Sequence, residues 1–213
     1  MGETLKQKTI KGFKWRGGVD LLSQVLQIIF TAILARLLTK ADFGLIAMAM
    51  IVNRFFATIS KVGLGGAIIR SPDVTPGQIS AIFYVQIGIR FAISVIVFFM
   101  AGIAADFFGE AELKTIIQVT AWIIVLTSLQ FPTVILRKNM EFKKYSLIEI
   151  TSMLLANTIA IAMAFTGFGY WSLVFRILIL GLSLTILSWH ISQWKPTRPN
   201  FKGIRPLITY GFN

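Results

Sequence analysis

Apolar residues run almost without interruption through six stretches of the chain, near Gly18 to Leu38, Phe43 to Ile69, Ile79 to Ala105, Leu113 to Leu136, Ser146 to Thr166 and Tyr170 to His190. Each can cross the hydrocarbon core of a bilayer, which takes about 20 predominantly apolar residues. None alternates polar and apolar positions over about ten residues, as a membrane barrel strand would. The pattern therefore predicts an all-α polytopic membrane protein with six transmembrane helices. Basic residues precede the first stretch, as in a signal peptide, but its apolar run is long and five more follow, so it reads as a retained helix. The connections outside the basic ones are short and leave no room for a separate extramembrane domain.

The charges give these helices a direction. Lys6, Lys8, Lys11, Lys14 and Arg16 precede the first span; Arg70 follows the second; Arg137, Lys138, Lys143 and Lys144 follow the fourth; Lys195, Arg198, Lys202 and Arg205 follow the sixth. Those fourteen fall on one side, against Arg36, Lys40 and Lys114 on the other, where Asp106, Glu110 and Glu112 add acid. Basic flanks stay in the cytoplasm, so the N-terminus is expected inside.

Composition agrees with the span reading. Of 213 residues 55% are hydrophobic, and the mean hydropathy is +0.75, too high for a surface that must face water. The net charge of +12 would otherwise raise nucleic-acid binding. Here it sits on the side where anionic headgroups lie and forms no stripe suited to a duplex, so no nucleic-acid partner is expected. There is no cysteine, which excludes disulfides and thiolate metal sites. The single histidine, His190, stands beside Trp189 at a span end and reads as interfacial. Trp15, Trp171, Trp189 and Trp194 fall at predicted interfaces, and Trp122 falls deep.

Four bases remain inside the spans: Arg54, Lys61, Arg90 and Arg176. A charge at mid-helix costs about 2.5–3.5 kcal/mol on insertion scales, so such groups face water, a partner or a ligand. Arg54 and Lys61 lie two turns apart on one face of the second span. The first span carries a polar stripe at helical spacing, Asp20, Gln24, Gln27 and Thr31. Asp20 is the acid best placed to balance those bases, with Glu149 a second. Because bases outnumber acids, the residues point to a hydrated cationic cavity for an anionic headgroup, in which arginine grips phosphate through a fork and lysine acts as a point charge. The alternatives are snorkelling of Lys61, Arg90 and Arg176 to the interfaces, or salt bridges within the bundle. Pro132 is placed to kink the fourth span, and Gly63, Gly65 and Gly66 end the second.

Five segments resemble a known family: LARLLTKADFGLIAMA at 34–49, GLGGAIIR at 63–70, LRKNMEF at 136–142, GFGYWSLV at 167–174 and WKPTRPNF at 194–201. They are similar to the polysaccharide-transporter family of lipopolysaccharide and O-antigen flippases, within the multidrug/oligosaccharidyl-lipid/polysaccharide exporter superfamily. Where that pattern usually carries Pro-Glu, this chain has Lys40-Ala41. The resemblance implies a transporter of two six-helix lobes around an alternately opening cavity, with this chain as the N-terminal lobe: 1–17 a cytoplasmic basic tail, 18–192 the lobe, 193–213 a cytoplasmic connector and the start of a seventh helix. It implies a lipid-linked oligosaccharide on an undecaprenyl pyrophosphate carrier as substrate, in the bacterial inner membrane. The implied partners are membrane lipids, a C-terminal lobe and a polysaccharide polymerase. No cofactor is indicated and no enzymatic activity is expected, since one interfacial histidine with Asp20 and Glu149 is a thin supply of acid and base groups. Rival readings are a cation-coupled multidrug exporter, which would be expected to place acids in its cavity, and a non-transporting scaffold of polysaccharide assembly.

Overall fold

The computed structural model describes residues 5–59, 68 and 74–201. Within them lie α1 (Leu5–Leu37), α2 (Lys40–Ile59), α3 (Pro76–Phe108), α4 (Glu112–Leu129), α5 (Pro132–Lys138), α6 (Phe142–Phe165) and α7 (Trp171–Ser192), and no strand. Six helices are long and apolar enough to cross a membrane, with α4 and α5 together forming the fourth. The expected fourth span is thus two helices. The break falls at Gln130 and Phe131, where Pro132 takes the first position of α5 and cannot continue the α4 hydrogen-bond ladder. Lys61, Gly63, Gly65, Gly66 and the expected start of a seventh helix lie outside the described residues.

The helix ends follow from local chemistry. Thr39 caps α2 by accepting the Asp42 N–H at 3.2 Å, while the Asp42 carboxylate accepts the Thr39 N–H at 2.8 Å, a reciprocal capping box. Lys40 and Ala41 are therefore the first two helical residues, where proline and an acid are favoured in general; the departure from the family pattern alters a helix start. Thr75 and Gln78 form a second capping box, with Pro76 opening α3, and Gly109 ends that helix at φ 72°. Gly167 and Gly169 adopt φ of 83° and 54° in the tight turn between α6 and α7.

Helix α4 is the hub, packing against α3, α2 and α7; α6 joins α7 to α1, which stands at the edge. The main core brings Ala49, Ala101, Ala121, Ala160 and Ala164 together with Leu34, Ile116, Ile117 and Val174. Small side chains let helix backbones approach closely, which matters because in lipid packing and polar bonds replace the hydrophobic drive between helices. A second cluster forms at the other end of the bundle, where Phe83 and Phe131 stack with Trp189 and Trp194 at centroid distances of 5.2–5.9 Å.

Three of the five family-like segments, 34–49, 167–174 and 194–201, meet in these two regions, and the described residue of the segment at 63–70, Ile68, is buried in the aromatic cluster. At one end the α2 cap faces the α6–α7 turn: a Cβ on Gly169 would stand 3.3 Å from Asp42 Oδ1. At the other, residues 194–200 lie along the first turns of α3. There the Thr197 N–H donates to Ser80 Oγ at 2.8 Å and the Asn200 N–H to the Gly77 carbonyl at 2.9 Å.

Candidate functional site

The polar stripe of α1 lines a groove. Asp20, Ser23, Gln24, Gln27 and Ile28 form one wall, Glu149 and Met153 of α6 and Leu180 and Leu184 of α7 the others, around a volume of ≈ 760 Å³. The groove forms because α1 packs on α6 alone among its major contacts and leaves its flank toward α7 open. Three of the four stripe residues line it, and Thr31 is exposed beyond them. Glu149, the second acid of the sequence reading, shares the groove with Asp20. Its spacing from Met153 was a usable signal, since i and i+4 lie on one helix face.

None of the described bases lines this groove. Arg176 is half-buried between helices, and its Nε donates to Asn157 Oδ1 on α6 at 2.8 Å. Asn157 is 2% exposed and donates in turn to the Met153 carbonyl, so the pair is a polar pin between α6 and α7. Arg90 is also half-buried and donates from Nη1 to Thr127 Oγ1 on α4 at 2.7 Å, while its Nε is buried without a hydrogen-bond acceptor. Arg54 differs from both: it is exposed and makes no hydrogen bond or ion pair among the described residues.

Its direction is fixed by its neighbour. Asn53 is 6% exposed and turned to α4, donating from Nδ2 to Thr120 Oγ1 at 2.7 Å. One residue on, Arg54 points about 100° around the helix from Asn53. Ile51, Val52, Phe55 and Phe56 face α3 across a second groove, centred roughly 130° from Arg54. The guanidinium therefore stands on the flank of α2 turned away from α3.

The stacked tryptophans were legible only as interfacial residues. In the structure Trp189 donates its indole N–H to the Leu129 carbonyl at 2.7 Å, satisfying a backbone group freed by the α4–α5 break. Trp122 lies on the outer surface of α4 beside Phe91. His190 is exposed. Among the described residues no group of three or more His, Asp or Glu side chains is placed to hold a metal ion.

Known proteins share this chain's pattern. The lipopolysaccharide biosynthesis protein WzxC of Escherichia coli (strain K12) is 23% identical over 163 residues, covering 76% of this chain and 33% of that protein. The succinoglycan biosynthesis transport protein ExoT of Rhizobium meliloti (strain 1021) is 26% identical over 172 residues, 80% of this chain and 35% of ExoT. The teichuronic acid biosynthesis protein TuaB of Bacillus subtilis (strain 168) is 24% identical over 212 residues, 98% of this chain and 44% of TuaB. The chain thus spans from a third to less than half the length of these relatives. No solved structure matches it. A family model described as "Polysaccharide biosynthesis protein" matches residues 33–213, from the end of α1 through the last residue, and the chain belongs to that family.

Proposed function

We propose that this chain acts as the N-terminal lobe of a flippase in the bacterial inner membrane, moving undecaprenyl-pyrophosphate-linked oligosaccharide units for lipopolysaccharide or exopolysaccharide synthesis. The N-terminus lies in the cytoplasm, and transport proceeds by rocking of this lobe against a second. The observation that carries the reading is Arg54, an exposed guanidinium without a protein partner among the described residues, on a spanning helix of a polysaccharide biosynthesis protein. A cation in that position is costly until an anion or water meets it, and a pyrophosphate supplies the bidentate oxygens a guanidinium fits. Arg54 and Lys61 form the headgroup contacts; Arg90 and Arg176 shape the lobe that presents them.

The test is Arg54→Ala and Arg54→Lys in the natural protein, scored for surface polysaccharide at equal protein level. Output is expected to fall about tenfold or more with alanine, since a charge-assisted contact contributes roughly 1.5–3 kcal/mol, and to recover partly with lysine. Wild-type output from Arg54→Ala would overturn the reading. The Asp20–Glu149 groove favours a second reading, the cation-coupled multidrug exporter. On that reading Asp20→Asn would raise sensitivity to cationic drugs and leave polysaccharide output unchanged.

A further inference from the structure

The second groove lies between α2 and α3. It is lined by Ile51, Val52, Phe55 and Phe56 on one side and by Met100, Ile103, Ala104, Phe107 and Phe108 on the other, encloses ≈ 360 Å³ and presents almost no polar surface. That volume falls in the range of small-molecule sites, roughly 300–1,000 Å³. Both walls belong to helices long and apolar enough to span a membrane, so the groove can take an apolar chain drawn from the bilayer. Phe55, Ile103 and Phe107 are 63%, 67% and 82% exposed, so the described residues leave the groove open.

Helix α2 separates this groove from Arg54. Phe55 stands on its wall and Arg54, the preceding residue, on the opposite flank. One helix thus offers an apolar trough on one side and, on the other, a cation without a partner among the described residues, about the width of a helix, 10–12 Å, apart. An amphiphile whose anionic head meets Arg54 and whose tail crosses α2 satisfies both at once. We propose that the α2–α3 groove is a tail site for the isoprenoid chain of the lipid-linked substrate, which lies astride α2 with its phosphates at Arg54. The charge complementarity selects a lipid with anionic phosphates, and the four phenylalanines offer edges and faces between which a methyl-branched chain can lodge. The inference rests on the flippase reading above and adds to it a second contact that sets the lipid specificity.

The experiment places a benzophenone photo-crosslinking amino acid at Ile103 or Phe107 of the natural protein. The protein is reconstituted in vesicles of phosphatidylethanolamine with a few per cent polyprenyl phosphate, irradiated, and its adducts are weighed. Phe107 serves because its exposed side chain tolerates replacement if Ile103 does not. The expected result is a polyprenyl phosphate adduct at either position, enriched over that lipid's share of the vesicle and reduced about tenfold by Arg54→Ala while phospholipid adducts persist. Adducts in proportion to bulk lipid, or adducts to another segment of the protein, would overturn it. The two proposals fail separately. If Arg54→Ala abolishes polysaccharide output but no enriched adduct forms, the groove falls and the flippase reading stands; if output survives, the reading falls.

Discussion

Arg176 and Asn157 show how a spanning helix can hold a cation without a carboxylate. The asparagine oxygen accepts one guanidinium N–H, and its own amide N–H is spent on the turn below, so neither group faces lipid unpaired. Replacing Arg176 by methionine keeps the stem and removes the head, leaving the Asn157 oxygen buried without a donor. Interhelical hydrogen bonds in membranes contribute about 0.6 kcal/mol on average, but an orphaned buried acceptor costs roughly 1–3 kcal/mol. We expect Arg176→Met to lower the midpoint of thermal unfolding in detergent, and Arg176→Met with Asn157→Leu to restore part of it. An unchanged midpoint in the single variant would remove the pin. The sequence marked Arg90 and Arg176 as intramembrane charges, and that was legible because a base in an apolar run is rare. It did not separate them from Arg54, because their partners Thr127 and Asn157 sit on other helices, at separations of 37 and 19 residues, where no periodicity links them.

At the scale of elements, the six spans were legible because length and hydropathy alone define them, and the break at Pro132 was legible because proline cannot donate to the ladder. The helical start of α2 at Lys40 was harder to see. Its cap, Thr39 with Asp42, lies inside a motif whose apolar flanks draw the eye to Phe43. The connector after α7 was the least legible: it reads as a cytoplasmic connector with Trp194 at the interface, yet Trp194 packs among Phe83, Phe131 and Trp189. Gly77 explains how the chain lies so close to α3. A Cβ there would meet Asn200 Cβ at 3.0 Å and the Arg198 carbonyl at 3.2 Å, one of them backbone that cannot swing aside. Gly77→Ala should therefore lift residues 198–200 and weaken the Asn200 to Gly77 hydrogen bond without unfolding α3. Faster chymotryptic cleavage after the exposed Phe201, with unchanged helical circular dichroism, would show this; unchanged cleavage would mean the connector yields without leaving.

For the whole molecule, orientation is the property that sequence charge predicts most directly and that helix packing alone leaves open, since the contacts within a bundle are the same whichever way it sits in the membrane. The absence of cysteine from these 213 residues lets single substitutions in them measure it. Glu110→Cys, in the exposed turn between α3 and α4, is expected to react with a membrane-impermeant maleimide added to intact spheroplasts, and Lys195→Cys only after permeabilisation. The opposite pattern would invert the lobe. What the charge count could not supply is which polar groups share a space. Asp20 and Glu149 are far apart in sequence, and only the packing of α1 on α6 makes them walls of one groove.

The seating of residues 194–200 also fixes a line of force. Because Trp194 is wedged among rings and Thr197 and Asn200 are tied to Ser80 and Gly77, the connector up to Asn200 is anchored on α3 as well as on the end of α7. A pull on it is delivered to the first two turns of α3, the helix that also forms one wall of the apolar groove. Displacement of the following chain would act on that wall as on the handle of a lever, with the aromatic cluster as its fulcrum.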